Sequence, residues 1–156
     1  MNARELVETV PDPEMAFLNL GDLGIVRSVV EAPDGVRVAL TPTFVGCPAT
    51  DVIVGDVRRV LAEAGYANVV VEVVMAPAWS SDLITPSGRE KLSAAGIAPP
   101  ACLGARPLSE AIAAPVACPL CGSLRTRRRS EFGSTPCKAM HVCLVCREPF
   151  EAIKPI

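Results

Sequence analysis

The chain has 156 residues, enough for one ordinary domain or for a small domain with a metal-stabilised appendage. Half of them are hydrophobic but only 4% are aromatic, so the main core must be built from Val, Ile, Leu and Ala. No apolar run approaches the roughly 20 residues a membrane span needs, and the start, MNARELVETVPDPE, lacks the apolar stretch of a signal peptide; a cytoplasmic protein without membrane contact is expected. The net charge of −2 hides an asymmetry. Residues 1–114 hold eight Lys/Arg against fourteen Asp/Glu, and residues 115–156 seven against three. Four metal-bound thiolates on one divalent ion would lower the tail to about +2, which argues against a nucleic-acid partner.

Taken in order, residues 3–9 predict a short helix with Leu6, Val7 and Val10 on one side, stopped by Pro11 and Pro13. Asp12-Pro13-Glu14 follows, an acidic pair whose plain reading is a solvated turn. Ile25 to Glu31 is a strand, Ala32-Pro33-Asp34-Gly35 a turn, and Val36, Val38 and Leu40 mark the buried face of its hairpin partner.

The loop Thr41-Pro42-Thr43-Phe44-Val45-Gly46-Cys47-Pro48 then leads into a helix predicted from about Pro48 to Ala64, with Val52, Ile53, Val57, Val60 and Leu61 at helical spacing and Gly65 as its stop. Pro48 suits the first helical position, which makes Cys47 the N-cap. There the free N–H groups and the helix dipole favour a thiolate. The alternative for Cys47 is the ordinary fate of a free cysteine, a small buried hydrophobe.

Val69 to Val74 is a third strand, Trp79 a packing anchor, and Thr85-Pro86 opens a helix closed by Gly96. The α-β-β-α-β-α order predicts a small α+β domain over residues 1–97. Residues 98–117 are Ala- and Pro-rich and read as a linker with a helical turn near Leu108 to Ala113; Cys102 within it is incidental.

Residues 118–156 carry Cys118-Pro119-Leu120-Cys121 and Cys143-Leu144-Val145-Cys146. In a chain with no export signal, two CxxC pairs at this separation point to a tetrahedral structural metal site, a β-rich zinc ribbon. Leu124 to Ser130 and Lys138 to Val142 are its expected strands, with Phe150 and Ile153 covering the metal. Arg127, Arg128 and Arg129 read as a solvated strand end or a dock for an acidic partner. Cys137 or His141 could replace one of the four ligands, although the paired cysteines need fewest assumptions. Iron in the same four thiolates, as in a rubredoxin-like electron carrier, is a further option.

The chain has a single histidine and no paired Glu-x-x-His motif, so it cannot build a di-iron oxygenase site by itself. It also lacks a Gly-rich nucleotide loop and a GxSxG elbow. No catalytic activity of its own is expected.

DPE at 12–14, DLGIV at 22–26, TPTFVGCPA at 41–49 and APAW at 76–79 resemble the MIP18-like (DUF59) domain associated with iron-sulfur cluster assembly. GREKLSAAGIAPP at 88–100, CPLCGS at 118–123, FGSTPCKA at 132–139 and REPFEAIK at 147–154 resemble the D subunit family of phenylacetyl-CoA epoxidase, also called the J subunit of phenylacetate-CoA oxygenase. Two small departures are Phe44, often tyrosine, and Val142, often arginine. The resemblance implies an accessory role in bacterial phenylacetate degradation beside oxygenase and reductase subunits. Its expected task is assembly of iron-sulfur or di-iron centres, with a structural or regulatory subunit as the alternative. It implies Cys47 as a reactive thiol that transiently holds iron or a cluster, Asp12 and Glu14 as the domain's acidic motif and further candidates for iron or cluster transfer, and Cys118, Cys121, Cys143 and Cys146 as zinc ligands. Cys137 lies within the matching FGSTPCKA.

Overall fold

A computed structural model describes residues 1–156, in two compact units: Met1–Trp79 with Leu83–Thr85, and Ser80–Asp82 with Pro86–Ile156. The architecture is α+β in the first and β-rich in the second.

The first unit opens with α1 (Ala3–Glu8), started by a capping box in which Asn2 Oδ1 accepts from the Glu5 N–H and Glu5 accepts from the Asn2 N–H, both at 2.9 Å. A second, four-residue helix, α2 (Leu20–Leu23), uses the same device with Asn19 and Asp22. It ends on Gly24 at φ 66°, where a Cβ would stand 2.3 Å from the Leu83 carbonyl oxygen. Gly24 is therefore required both for its left-handed backbone and for space. Helix α2 is not foreseen by the sequence pattern, because four residues are too few for a helical period to show.

Strands β1 (Val26–Ala32) and β2 (Gly35–Leu40) form the expected antiparallel hairpin. Helix α3 (Ala49–Glu63) then crosses over to β3 (Val69–Val73), which pairs parallel with β2, so the sheet order is β1-β2-β3. The buried line on α3 is Ala49, Ile53, Val57 and Leu61, each one turn from the next. Val52, expected on that face, is 51% exposed, because it lies about 100° round the helix from Ile53.

The second unit is a sheet of order β4-β7-β6-β5, formed by β4 (Ile97–Ala98), β5 (Thr126–Ser130), β6 (Lys138–Cys143) and β7 (Pro149–Ile153). Strands β5, β6 and β7 make an antiparallel meander, and β4 adds to β7 in parallel through Ile97 and Ala98. Helix α4 (Pro86–Ala94), closed by Gly96 at φ 77°, leads directly into β4.

This differs from the expected division at residue 97. Helix α4 lies in the second unit, since its following strand is a member of the ribbon sheet. The stretch expected as a linker is tied in as well. Arg89 donates to the carbonyls of Pro100 (2.6 Å) and Ser81 (2.9 Å), and the Asp82 carboxylate accepts from the N–H groups of Leu103 and Gly104. Those two N–H groups hold the Asp82 carboxyl below the usual range. The expected helical turn is present as α5 (Leu108–Ala113), with Ala111 buried.

Strand β7 is a further addition to the expected elements. Its Glu151 stands within a buried run, and its reason is Lys138: the two pair at 3.3 Å with Lys138 6% exposed. FGSTPCKA is the surrounding loop. Ser134 N–H and Oγ–H donate to the two Glu151 carboxylate oxygens, and Lys138 Nζ donates to Ser134 Oγ. Gly133 passes so close that a Cβ would lie 2.7 Å from Glu151 Oε1.

Candidate metal centre and the Cys47 loop

Each CxxC pair sits in a tight knuckle. In the first, the Gly122 N–H donates to the Cys118 carbonyl (2.8 Å) and Gly122 takes φ 75°. In the second, the Arg147 N–H donates to the Cys143 carbonyl (3.1 Å), and Arg147 takes φ 69° without the freedom of a glycine. The Leu144 N–H donates to the Arg125 carbonyl (2.8 Å), which draws the second knuckle against the first.

The sulfurs of Cys118, Cys121, Cys143 and Cys146 lie within 4.8 Å of one another. Cys118 to Cys146 is 3.8 Å and Cys121 to Cys143 is 3.5 Å. Four thiolates about 2.3 Å from a central zinc stand about 3.8 Å apart, so the arrangement fits one tetrahedral ion. The N–H groups of Val145 and Cys146 point at Cys143 Sγ, at 3.4 and 3.5 Å.

Burial raises the Cys143 thiol, but the N–H groups of Cys146 and Val145 and the neighbouring thiols outweigh it and bring it down to about 6. The Glu148 N–H draws Cys146 down, yet burial and the surrounding sulfurs prevail and push it up to about 12. Four sulfurs this close cannot all ionise without a cation among them, and an ion supplies the charge that lets them.

Phe150 packs in the buried cluster with Cys118, Cys143, Ala98 and Ala152, as expected of a residue covering the metal. Ile153, also expected there, is buried but pairs with Lys138 at the other end of β6. Cys137 precedes that same end, with its thiol 3.1 Å from Thr135 Oγ1, and is not among the four gathered sulfurs. His141 is not among them either: its ring stacks on Phe150 at 5.6 Å. The four paired cysteines, the reading that needs fewest assumptions, are the set brought together, and the alternatives Cys137 and His141 lie outside it. An extended strand separates Cys137 from Cys143, and the imidazole, though on the same strand face as Cys143, is taken up in the stack on Phe150. Cys102 is exposed and apart.

In the first unit, strands β2 and β3 run parallel and end together, Leu40 beside Val73. The Cys47 loop leaves from the first and the Ala76–Trp79 segment follows the second, a location where open sheets commonly place functional loops. Arg27 joins them. Its Nε donates to Thr41 Oγ1 (2.9 Å), and its Nη2 donates to the Pro77 and Ala78 carbonyls (3.0 Å each). Trp79 is buried, and its indole N–H donates to the Leu23 carbonyl at 2.8 Å. Sequence reasoning overlooked Arg27, since a lone arginine in a strand carries no periodic or motif signal.

Cys47 closes a turn in which its N–H donates to the Phe44 carbonyl (3.2 Å), and Gly46 takes φ 76°. A Cβ on Gly46 would meet nothing within 4 Å, so its backbone angle alone calls for glycine. The thiol is half-buried between exposed Phe44 and Val45 and the helix start. Cys47 is not the N-cap, as expected from the sequence; Pro48 is, and the Cys47 carbonyl accepts from the Thr50 N–H at 3.1 Å. Proline at φ −65° suits the cap itself, which moves the cysteine one residue outward.

Asp12 is buried, and its Oδ1 accepts from the N–H groups of Glu14 (3.0 Å) and Met15 (2.8 Å). It is a turn-former, while Glu14 is exposed. The chain's one set of three or more converging His, Cys, Asp or Glu side chains is the ribbon four, so Asp12, Glu14 and Cys47 do not meet as ligands. No helix is long and apolar enough to cross a membrane.

Fold and thiol site together define the class: residues 2–74 match the family described as iron-sulfur cluster assembly protein, and residues 107–154 the PaaD zinc beta ribbon domain. The first part also resembles a solved structure, a domain of unknown function DUF59 from Bacillus anthracis, at 29% identity and a TM-score of 0.54, covering 58% of this chain and 87% of that one. An Fe-S protein maturation auxiliary factor of Porphyromonas gingivalis is 37% identical over 82 residues, 51% of this chain and 77% of the relative.

Over nearly the whole length the chain is similar to a protein of Escherichia coli (strain K12) named as the putative D subunit of 1,2-phenylacetyl-CoA epoxidase. The identity is 42% over 151 residues, covering 97% of this chain and 90% of that one. The chain belongs to that family of epoxidase D subunits.

Proposed function

We propose that the chain is an accessory component of a phenylacetyl-CoA epoxidase system and supports assembly of iron-sulfur or di-iron centres on its partner subunits. Iron or a cluster is the cargo, Cys47 the transient thiolate that holds it, and the ribbon a zinc-bound docking module. The observation that carries this reading is the setting of Cys47: a half-buried residue on a glycine turn, in the loop that leaves one of two parallel strands at their shared end and whose first residue, Thr41, is held by Arg27. The maturation-factor names of relatives that match this part alone support the same assignment. Because Asp12 and Glu14 do not converge on Cys47, remaining ligands to the cargo come from a partner or a second copy of the chain.

For the ribbon, a closed four-cysteine site leaves no open coordination position, so its ion is structural. Zinc rather than iron makes the purified protein colourless with one zinc per chain; a red, redox-active protein overturns this part. Leu120, Leu144 and Val145 are exposed on the knuckles and supply an apolar contact for a partner.

The test is complementation in cells lacking the native copy. Cys47→Ser should leave the partner subunits under-loaded with iron while keeping the ribbon's zinc. Full loading by Cys47→Ser refutes the transfer role and favours a purely structural or regulatory component, for which the exposed knuckle side chains are the specific support.

A further inference from the structure

The second unit contains a cavity of about 120 Å³ that neither the metal centre nor the Cys47 loop uses. Pro100, Ile112 and Pro115 bound it from the linker, Arg128 and His141 from the sheet, and Lys154 from the residue after β7. Apart from those last three, its lining residues are alanine, proline, valine and isoleucine.

His141 is the telling member. The residue is 5% exposed and its ring is fixed by stacking on Phe150 at 5.6 Å, yet no group of the chain hydrogen-bonds either ring nitrogen. No side-chain nitrogen or oxygen sealed from solvent lacks a partner, so the imidazole nitrogens open to the cavity. A nearly buried imidazole without a protein partner is left to bond water or a ligand in the cavity.

The charged side chains that line the cavity, Arg128 and Lys154, are both cations. Arg128, on β5, is half-buried rather than fully solvated as its sequence neighbours suggest, and it spends Nη1 on Glu131 (2.8 Å) and Nη2 on the Ile112 carbonyl (3.3 Å). Its Nε–H keeps no partner. Lys154 adds a second positive charge, its ammonium 4.4 Å from the centre of the Phe132 ring. Glu131, paired with Arg128, is outside the lining.

We propose that this cavity is a binding site for a short monocarboxylate, held by Arg128 and His141 within the field of Lys154 and with its apolar carbons against the alanine and proline wall. Size sets the class: a cavity of about 150 Å³ accepts the six carbons of benzene, so about 120 Å³ suits roughly five heavy atoms, as in propionate. A ligand so small binds with a Kd on the order of 1 mM.

His141 is the chain's single histidine, so its imidazole gives one unambiguous NMR signal. The zinc-loaded full chain is titrated with sodium propionate at ionic strength held constant with chloride. A saturable His141 shift is expected, with propionamide and chloride failing to reproduce it. Arg128→Met and Lys154→Met should each weaken binding about fivefold or more. Because Arg128 also holds the linker at Ile112, Lys154→Met is the independent check, and each variant is first verified to keep one metal per chain. A linear, unsaturated shift overturns the proposal and leaves the cavity to water. Equal binding of propionamide, or affinity unchanged in both variants, overturns it as well.

Discussion

Replacing Glu151 with glutamine tests the polar clamp that holds the ribbon sheet together. Lys138 is 6% exposed on its side chain and depends on Glu151 at 3.3 Å and on Ser134 Oγ at 3.1 Å. Glutamine keeps the size and an oxygen for the Ser134 N–H but leaves a buried ammonium without its counter-charge. Breaking a fully buried pair costs about 3–5 kcal/mol; Glu151 is 21% exposed and partly screened, so about 2–3 kcal/mol is expected. In a unit of this size that corresponds to a fall in melting temperature of about 10–20 °C.

The pH dependence follows with a definite sign. Burial raises the Glu151 carboxyl, but the Ser134 N–H and hydroxyl and the Lys138 charge outweigh it and hold it below the ordinary value. Below its unfolded pKa of about 4.3 the unfolded chain takes up the proton first. The stabilisation is thus present in full above that pH and is lost as pH falls towards the lowered native value. Urea unfolding of metal-saturated wild type and Glu151→Gln at pH 7 and pH 4 measures both effects. A loss under about 0.5 kcal/mol at pH 7 refutes the clamp.

Three further outcomes are expected. Cys143→Ala should bind less than a tenth of an equivalent of zinc by elemental analysis and lose the ordered second unit, because ligation supplies on the order of 10 kcal/mol, whereas Cys137→Ser should keep one equivalent. Gly24→Ala should lower stability by more than about 2 kcal/mol in urea unfolding, since the left-handed angle and the 2.3 Å approach to the Leu83 carbonyl act together; a change under 1 kcal/mol contradicts the packing. Arg27→Met should cost about 1–2 kcal/mol and speed alkylation of Cys47, read by mass spectrometry of the modified peptide, because Thr41 and the Pro77 and Ala78 carbonyls lose their shared donor; an unchanged Cys47 rate separates that loop from Arg27.

Several features of the protein are set by residues close together in the chain. The two CxxC knuckles carry their own turn signals, the Pro33-Asp34 hairpin joins adjacent strands, and the α3 stripe repeats every turn, so each is legible without tertiary information. Gly46 and Gly122 likewise announce backbone angles that a local turn demands. What the sequence left open depends on partners far along the chain. Strand β7 has meaning only beside Lys138, and β4 has meaning only beside β7, which is why α4 belongs with the ribbon. Arg27 becomes a brace only where Thr41 and Pro77 come within reach. Cys137 is removed from the metal because β6 is extended, and His141 meets the cavity because that strand turns it there. Local patterns encode hydrogen bonds between near neighbours; the placement of buried charge and free donors is decided by packing between segments whose separation in sequence carries no periodic signal.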